Sequence, residues 1–257
     1  MDVDPLLAQA RQVWTGLAGS PMSFPARHVS VTASANSSIC PPGWVGMVAL
    51  GDAAICTVPT DDLVGMVTRA CHALPVDALT DPDRLSAVLP VAAALGPATL
   101  AYCDDHSYRP HRREATEQLP VDHPDLVDFL ASAPAEDVAE CGLVEITSAA
   151  YVLRVGTAIV AAAGYRHWPG RMAHLSVLTA PSRRGRGFAR TVAAAATADG
   201  LAQGLLPQWR ARPAASRRVA RALGFRELGA QLSVRVGDGT RRLAPGKLHR
   251  RLGTSAP

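Results

Sequence analysis

Lysine is nearly missing from this chain: Lys247 is the single lysine among 26 basic residues, and all the others are arginine. Such a bias, in a sequence rich in Ala, Gly and Pro, follows genome composition as readily as function, so no arginine carries weight without its setting. Cysteines are few and lack pairing patterns. Cys40, Cys56, Cys71, Cys103 and Cys141 are odd in number and contain no C-x-x-C spacing. This argues against a disulfide frame or a zinc site and leads to an expectation of free thiols, no bound metal and a cytoplasmic location. The segment Met1-Asp-Val-Asp-Pro5 has neither a basic start nor an apolar run, so no export signal is expected. Long hydrophobic runs are absent as well. The most apolar window, Leu85 to Tyr102, is interrupted by Pro90, Gly96 and Pro97, which argues against a bilayer-spanning helix and against membrane partners.

What is present is an ample apolar content, 48% of 257 residues, and a strong charge asymmetry. From Pro181 onward there are 16 Arg plus Lys against 3 Asp plus Glu, and before it 10 against 19, so the two parts carry +13 and −9. A basic second half implies an acidic partner: nucleic acid, a phosphorylated ligand, or the first half of the same molecule. Nucleic acid is the weakest of these, because the arginines are not interleaved with aromatics and match no recognised binding motif.

Taken in order, helical spacing of Leu6, Leu7, Ala10, Val13, Trp14 and Leu17 predicts a helix over Pro5 to Leu17. Strands are expected at Arg27 to Ala33, Trp44 to Leu50 and Ala53 to Val58, with Gly51-Asp52 turning the last two into a hairpin. One helix should follow Thr60 or Asp61 to about Leu74, and another Thr80-Asp-Pro-Asp to Leu95, before a strand at Ala98 to Cys103. The polar segment Asp104 to Gln118, with His106, His111, Arg112 and Arg113, reads as a linker. Beyond it come a helix opened by His123-Pro124, a short helix over Pro134 to Cys141, and a hairpin of Tyr151 to Val155 and Ala158 to Tyr165. The pattern is α/β (α+β): an N-terminal α/β domain over 1–110, a linker over 111–118, a second domain over 119–240 and a basic tail over 241–257. The order of elements in 44–103 loosely parallels the later half, as a degenerate duplicate would.

The most informative stretch begins with a strand, His174 to Thr179, stopped by Ala180-Pro181-Ser182. Then Arg184-Gly185-Arg186-Gly187-Phe188-Ala189 opens an Ala-rich helix. The first turn of a helix leaves about four backbone N–H groups without intrahelical partners, and the helix dipole makes that end positive. Glycines without Cβ atoms let a phosphate approach those amides, and Arg183, Arg184, Arg186 and Arg190 add positive charge. A phosphate-bearing ligand is therefore expected here.

From Tyr151 to Val236 the chain resembles the core of the GNAT superfamily of N-acetyltransferases. Arg184, Gly187 and Ala189 fit its Arg/Gln-x-x-Gly-x-Gly/Ala signature, with Pro181 three positions ahead. The surrounding order fits as well: a hairpin, a strand, the signature helix, a strand at Leu205 to Ala211, a helix at Ala214 to Leu223, then Gly224-Phe225 and a strand at Gln231 to Val236. The resemblance covers the half from about Leu119 and leaves the first hundred residues unexplained. It implies a mixed, mostly antiparallel sheet flanked by helices, and acetyl-CoA as co-substrate. By the same resemblance, Arg184, Gly185, Arg186, Gly187, Phe188 and Ala189 would hold the pyrophosphate, Val177, Leu178 and Thr179 would pair with the pantetheine, and Ser216 would lie near the cofactor. The acceptor would be a small-molecule or peptide amine, and a homodimer stays open. One residue departs from the pattern. Many relatives carry a tyrosine that protonates the departing thiolate four residues before the Gly of Gly-Phe, where this chain has Ala220.

Acetyl transfer needs a neutral amine and hydrogen-bond donors for the carbonyl oxygen as it gains charge. His174 titrates near neutrality, although strict alternation puts it on one strand face with Ser176 and Leu178 unless a β-bulge intervenes. Glu145 and Glu140 flank Gly142-Leu143, in the segment that walls the acceptor pocket in the family. His174 and Glu145 are the candidate catalytic residues, and Tyr165, Trp168 and Trp209 are candidates to line the cleft. Two functions follow: an N-acetyltransferase using acetyl-CoA, or a catalytically weak acyl-CoA-binding or sensing module on the same fold.

Overall fold

The computed structural model describes residues 4–111 and 115–237. The basic tail expected at 241–257, and Arg112 and Arg113, lie outside the described residues. In chain order the elements are α1 (Pro5–Leu17), β1 (His28–Ala33), β2 (Val45–Leu50), β3 (Ala53–Val58), α2 (Asp61–His72), α3 (Pro82–Ser86) and β4 (Val91–Tyr102). They continue with β5 (Glu117–Leu119), α4 (Pro124–Ser132), α5 (Ala135–Cys141), β6 (Ala150–Val155), β7 (Ala158–Trp168) and β8 (Met172–Thr179). The last are α6 (Phe188–Ala202), β9 (Leu206–Ala211), α7 (Ala214–Ala222) and β10 (Arg226–Val236). The chain is mixed α/β with mostly antiparallel strands. It divides into two compact units, one of residues up to Leu100 together with those from Leu228, the other Ala101–Glu227.

In the first unit the strand order is β1-β3-β2-β10-β4. β1 pairs with β3 in parallel over six rungs, from His28↔Ala53 to Ala33↔Val58, while β2 is antiparallel to both β3 and β10. β2 and β3 are buried at every position, which is why they read as unbroken apolar runs and not as alternating strands. α1 buries Leu6, Ala10, Val13, Trp14 and Leu17 of the face its spacing predicts and leaves Leu7 half-buried. Arg11 ties the helix down by donating to the Leu50 carbonyl at 2.7 Å and pairing with Asp52 at 2.9 Å.

The helix expected from Thr80 to Leu95 is far shorter. Asp81, not Thr80, caps α3 by accepting from the Asp83 and Arg84 amides at 2.9 and 3.2 Å, and the helix ends at Ser86. Pro90 explains the difference. It lacks an N–H and disfavours helical backbone in the residue before it, so the run from Val91 becomes the start of β4 instead.

In the second unit the order is β9-β8-β7-β6-β5, antiparallel except for the parallel pair β8·β9. One face packs on α6: Tyr151, Leu153, Tyr165, Ala173 and Leu175 meet Val192, Ala193 and Ala196. The small residues of α6 let the helix lie close to the sheet, and at Gly200 an added Cβ would stand 3.4 Å from Ala173. The other face carries Ala162 and Leu178 against Leu126 and Phe129 of α4 and Leu143 of the turn after α5.

The segment read as a polar linker is not loose at its start. Ser107 bonds Asp104 through both backbone and side chain, and the Tyr108 hydroxyl donates to the Ala194 carbonyl at 2.9 Å. Gly224 has φ +92, and a Cβ there would overlap the Ser107 carbonyl, so this packing depends on glycine at that position. Glu117 and Gln118, read as the end of the linker, form β5 with Leu119. All five cysteines are free, and among the described residues no cluster of His, Cys, Asp and Glu could hold a metal ion. Among the same residues no helix is long and apolar enough to cross a membrane.

Candidate active site

The site begins where two neighbouring strands separate. β8 and β9 pair only over Met172↔Leu206, Ala173↔Pro207 and His174↔Gln208, although β8 runs on to Thr179 and β9 to Ala211. On its other edge β8 stays paired with β7 from Met172 to Thr179 with no register shift. The bulge that could have changed the side-chain parity is therefore absent. His174, Ser176 and Leu178 share one face, and Leu175, Val177 and Thr179 the other.

The hydrogen-bond phase shows which backbone groups face the opening. Tyr165 accepts from the Thr147 and Ser148 amides, and its own N–H donates to Ser148 Oγ, so both of its backbone groups turn away from β8. Antiparallel alternation then turns the backbone of its partner Leu175 away from β7, along with that of Val177 and Thr179. Ser176 and Leu178 face β7, a phase continued by the Ala180 amide donating to the Val160 carbonyl at 2.9 Å. Of the three residues expected along the pantetheine, Val177 and Thr179 present backbone groups to the gap, and Leu178 does not. The Thr179 hydroxyl is buried without a hydrogen-bond partner, as a donor or acceptor awaiting a ligand would be.

Beyond β8, Pro181–Arg183 makes a 3-10 turn, and Gly185 and Gly187 take φ of +77 and +87. Gly187 is the N-cap of α6 in left-handed conformation, so no side chain blocks the helix's first amides. An added Cβ at Gly185 would meet nothing within 4 Å, so the loop borders open space. The arginines divide. Arg186 is exposed, whereas Arg184 pairs with Asp137 of α5 at 2.7 Å and its Nε donates to the Thr179 carbonyl at 3.4 Å. Arg190 donates to the Ala222 carbonyl at 3.0 Å and keeps a buried Nε without a partner. Phe188 and Ala189 begin the helix. The expected row of four like charges is thus partly spent inside the fold.

Ser216 lies on α7, where its Oγ accepts from the Trp209 indole N–H at 2.9 Å, and Trp209 meets Phe225 edge to face at 5.5 Å. Ala220 is 2% exposed and packs within the core, so no polar group occupies that position. Tyr165 is no cleft residue either. It is fully buried, and its hydroxyl donates to Asp199 at 2.5 Å and accepts from Gln203 at 2.7 Å. Burial and the Asp199 carboxylate push its phenol well above the usual tyrosine range.

Where β8 and β9 part, a polar cluster gathers. His174 stacks on Trp168 with ring centroids 4.5 Å apart, and its Nδ1 lies 2.5 Å from Gln208 Oε1. Gln208 Nε2 donates to the Tyr102 hydroxyl, which leaves Oε1 as acceptor and puts the imidazole proton on Nδ1. Burial first, then the positive charges of Arg210 and Arg166, lower the His174 pKa to about 3. It is a neutral imidazole at pH 7 and a poor general base. Arg166, its cross-strand neighbour, pairs with Glu145 at 2.7 Å, and the Arg210 guanidinium lies over the Trp168 ring at 5.8 Å. His174 is half-buried and Arg210 exposed at this point of the fold. Glu140 is set apart, paired with Arg212.

Sequence reading found His174, Glu145 and Trp168 but missed Arg166 and Arg210 among so many arginines. Strand alternation was the available signal: Arg166 shares its parity with Trp168 on β7, and Arg210 with Gln208 on β9.

Residues 149–230 match the family model described as GNAT acetyltransferase. Among solved structures, a GNAT-family protein from Novosphingobium aromaticivorans is 24% identical, with a TM-score of 0.46 over 56% of this chain and 65% of that one. An acetyltransferase of the GNAT family from Colwellia psychrerythraea is 17% identical, with a TM-score of 0.45 over 58% and 59%. A GCN5-related N-acetyltransferase-like protein from Streptococcus suis is 16% identical, with a TM-score of 0.45 over 78% and 86%. The match spans less than two thirds of the first two of these proteins. No curated protein matches the chain. The parted strands, the Gly187-capped helix and His174, Gln208 and Arg210 of the polar cluster all fall within residues 149–230, the segment that is similar to the GNAT acetyltransferase family.

Proposed function

We propose that this chain is an N-acetyltransferase that takes its acetyl group from acetyl-CoA and gives it to an amine. The observation that carries this reading is the early end of the β8·β9 ladder directly before the Gly187-capped start of α6. The residues suit an acyl-CoA. The amides of Gly187, Phe188 and Ala189 and the Arg186 side chain would meet the pyrophosphate. The backbone of Val177 and Thr179 would pair with the pantetheine as an added strand, and the orphan Thr179 hydroxyl offers a further contact. Bound acetyl-CoA supplies the activated thioester. The chain's own task is to present a neutral amine beside it.

That task falls to the cluster at the parting point. Burial, with the charges of Arg210 and Arg166, depresses protonation of His174, and the same surroundings would depress protonation of an amine held there. A strong base is then less necessary. Glu145, beside Arg166, is the carboxylate we assign to receive the departing proton, and His174 wedged between Trp168 and Gln208 shapes the acceptor wall. The buried methyl of Ala220 favours a second reading, an acyl-CoA sensor with little turnover, since no phenol there can protonate a thiolate. Two measurements decide. Acetyl-CoA should raise the melting temperature where DNA and RNA do not, and an amine panel should release CoA thiol. Binding without amine-dependent thiol release favours the sensor, and no stabilisation by acetyl-CoA overturns both.

A further inference from the structure

We infer that Gln208 is the positioning residue of this site: it holds the His174 imidazole in the tautomer whose Nε2 is bare, and that nitrogen accepts a hydrogen bond from an N–H of the acceptor amine without taking the proton. The inference rests on the acetyltransferase reading and gives both residues a part in it. Three observations lead to it. The first is placement. His174 and Gln208 form the last rung of the β8·β9 ladder, so they stand where the strands part. Cross-strand pairing puts both side chains on the sheet face that also carries Arg166 and Trp168.

The second is the network around the ring. The Nδ1–H donates to Gln208 Oε1 at 2.5 Å, and the other end of that carboxamide donates to the Tyr102 hydroxyl at 3.4 Å. Gln208 and Tyr102 are fully buried, so the carboxamide has no water to turn toward and keeps both partners. The stack on Trp168, with planes 21° apart, fixes the plane of the imidazole. Once the plane and one ring nitrogen are fixed, so is the direction of the other. Among the described residues Nε2 meets no hydrogen-bond partner, and it is not one of the buried unpaired atoms, so it lies on the open side of this half-buried ring.

The third is charge. Arg166 from β7 and Arg210 from β9 act on the ring, Glu145 is paired to Arg166, and Tyr102 stands behind Gln208. Burial first, then the two cations, keep the imidazole neutral at pH 7, so Nε2 retains its lone pair. A nitrogen too weakly basic to take a proton still accepts a hydrogen bond. The amine arrives with two hydrogens and its lone pair forms the C–N bond, while the C–S pair leaves on sulfur. One proton passes to Glu145, the N–H held by Nε2 stays in the product amide, and water protonates the thiolate.

Two measurements test this. Nitrogen-15 spectra of the free chain should show the His174 ring with its proton on Nδ1 and Nε2 bare, and the bare signal should move when the best acceptor of the amine panel is added with CoA. A proton on Nε2, or a bare signal that stays put as the acceptor binds, overturns the inference. The second measurement is kcat/KM against pH, taken as the ratio of variant to wild type so that titration of the amine and of Glu145 cancels. Gln208→Leu should lower kcat/KM about 10-fold at every pH, with acetyl-CoA affinity kept. Gln208→Glu keeps the size and the acceptor oxygen but brings a negative charge that raises the His174 pKa, so the ring gains a proton and loses its Nε2 lone pair as the pH falls. Its ratio to wild type should lie within about 3-fold of one at pH 9 and drop about 10-fold further by pH 6. A ratio that stays flat is what a purely structural glutamine would give, and it overturns the inference while leaving the transferase reading standing. If the wild-type chain releases no thiol with any amine, the transferase reading and the amine contact fail together, and the ring spectra alone decide the part assigned to Gln208.

Discussion

Among the described residues β1·β3 and β8·β9 are parallel strand pairs, and they differ in one respect. β1·β3 is complete: six rungs join all six residues of each strand. β8·β9 stops after three, with five residues of β8 and three of β9 still to run. A finished parallel ladder satisfies its backbone internally and offers a ligand nothing. An unfinished one leaves donors and acceptors facing a gap, a cost that folding tolerates only if something else meets them. The complete pair lies in the apolar core with α2. The incomplete pair ends beside His174, Gln208 and Arg210, and the glycine-capped helix follows it. Binding capacity resides where pairing is given up.

Proline substitution in each pair probes that difference most strongly. β3 lies between β1 and β2, so Ile55→Pro removes a ladder hydrogen bond whichever way its N–H points, in a fully buried strand. A loss of about 3 kcal/mol or more, seen as a failure to fold or a collapse of the melting temperature, is expected. At Val177 the N–H faces the opening, so Val177→Pro should cost about 1 kcal/mol of stability and weaken acetyl-CoA binding about 10-fold by calorimetry. Equal damage at both positions would break the comparison.

Next in size is the anion end of the incomplete pair. Gly187→Glu puts a carboxylate at the start of α6 and forces a left-handed backbone on a side chain. The strain costs about 1 kcal/mol, partly offset by the helix dipole, so the melting temperature should move little. Acetyl-CoA affinity should fall about 100-fold, or about 2.7 kcal/mol, because the new charge occupies the phosphate's place. Undiminished binding would remove α6 from the site.

Much of this was legible before any coordinates, and for a physical reason. Glycines at 185 and 187, a proline at 181 and an Ala-rich helix are local signals, and a helix N-terminus carries its electrostatics wherever it lies. Most strand positions followed for the same reason; Val91 to Leu95 departed where Pro90 outweighed an apolar helical spacing, and β5 and the first five residues of β10 were not read as strand. What stayed hidden was pairwise. The Arg184–Asp137 pair joins residues 47 apart, Trp209–Ser216 turns an expected cofactor neighbour toward an indole, and Arg166 and Arg210 matter only because β7, β8 and β9 bring them to His174. Those depend on strand order, which spacing does not encode.

A smaller effect tests the last rung itself. His174 has a folded pKa of about 3 against the usual 6.5. Between those values the unfolded chain binds a proton that the folded chain refuses, so stability is full above pH 6.5 and falls as the pH drops through the window. The loss at pH 5 should be about 1–2 kcal/mol, allowing for the partial solvent access of the ring. It should vanish in His174→Gln, measured by urea unfolding at pH 7 and pH 5. A wild-type chain that loses no more stability between pH 7 and pH 5 than His174→Gln does would mean that the rung beside the gap is not closed to protons.

The smallest expected change is the most specific to the unfinished ladder. Thr179 ends β8 with a buried hydroxyl that meets no partner. Left unmet, such a group costs about 1 kcal/mol, and removing it should help the protein alone while harming its complex. Thr179→Val is therefore expected to raise the melting temperature of the free chain slightly and to reduce the additional rise that saturating acetyl-CoA produces. The two shifts must have opposite signs, which a packing defect would not give, since poorer packing lowers both the free and the bound transitions. Thr57, on β3 of the complete pair, supplies the contrast: its hydroxyl is buried but lies 2.8 Å from Ser37 Oγ, so Thr57→Val should only destabilise. If Thr179→Val behaves as Thr57→Val does, the orphan hydroxyl is already met within the protein and the opening beside β8 is not the acyl-CoA groove.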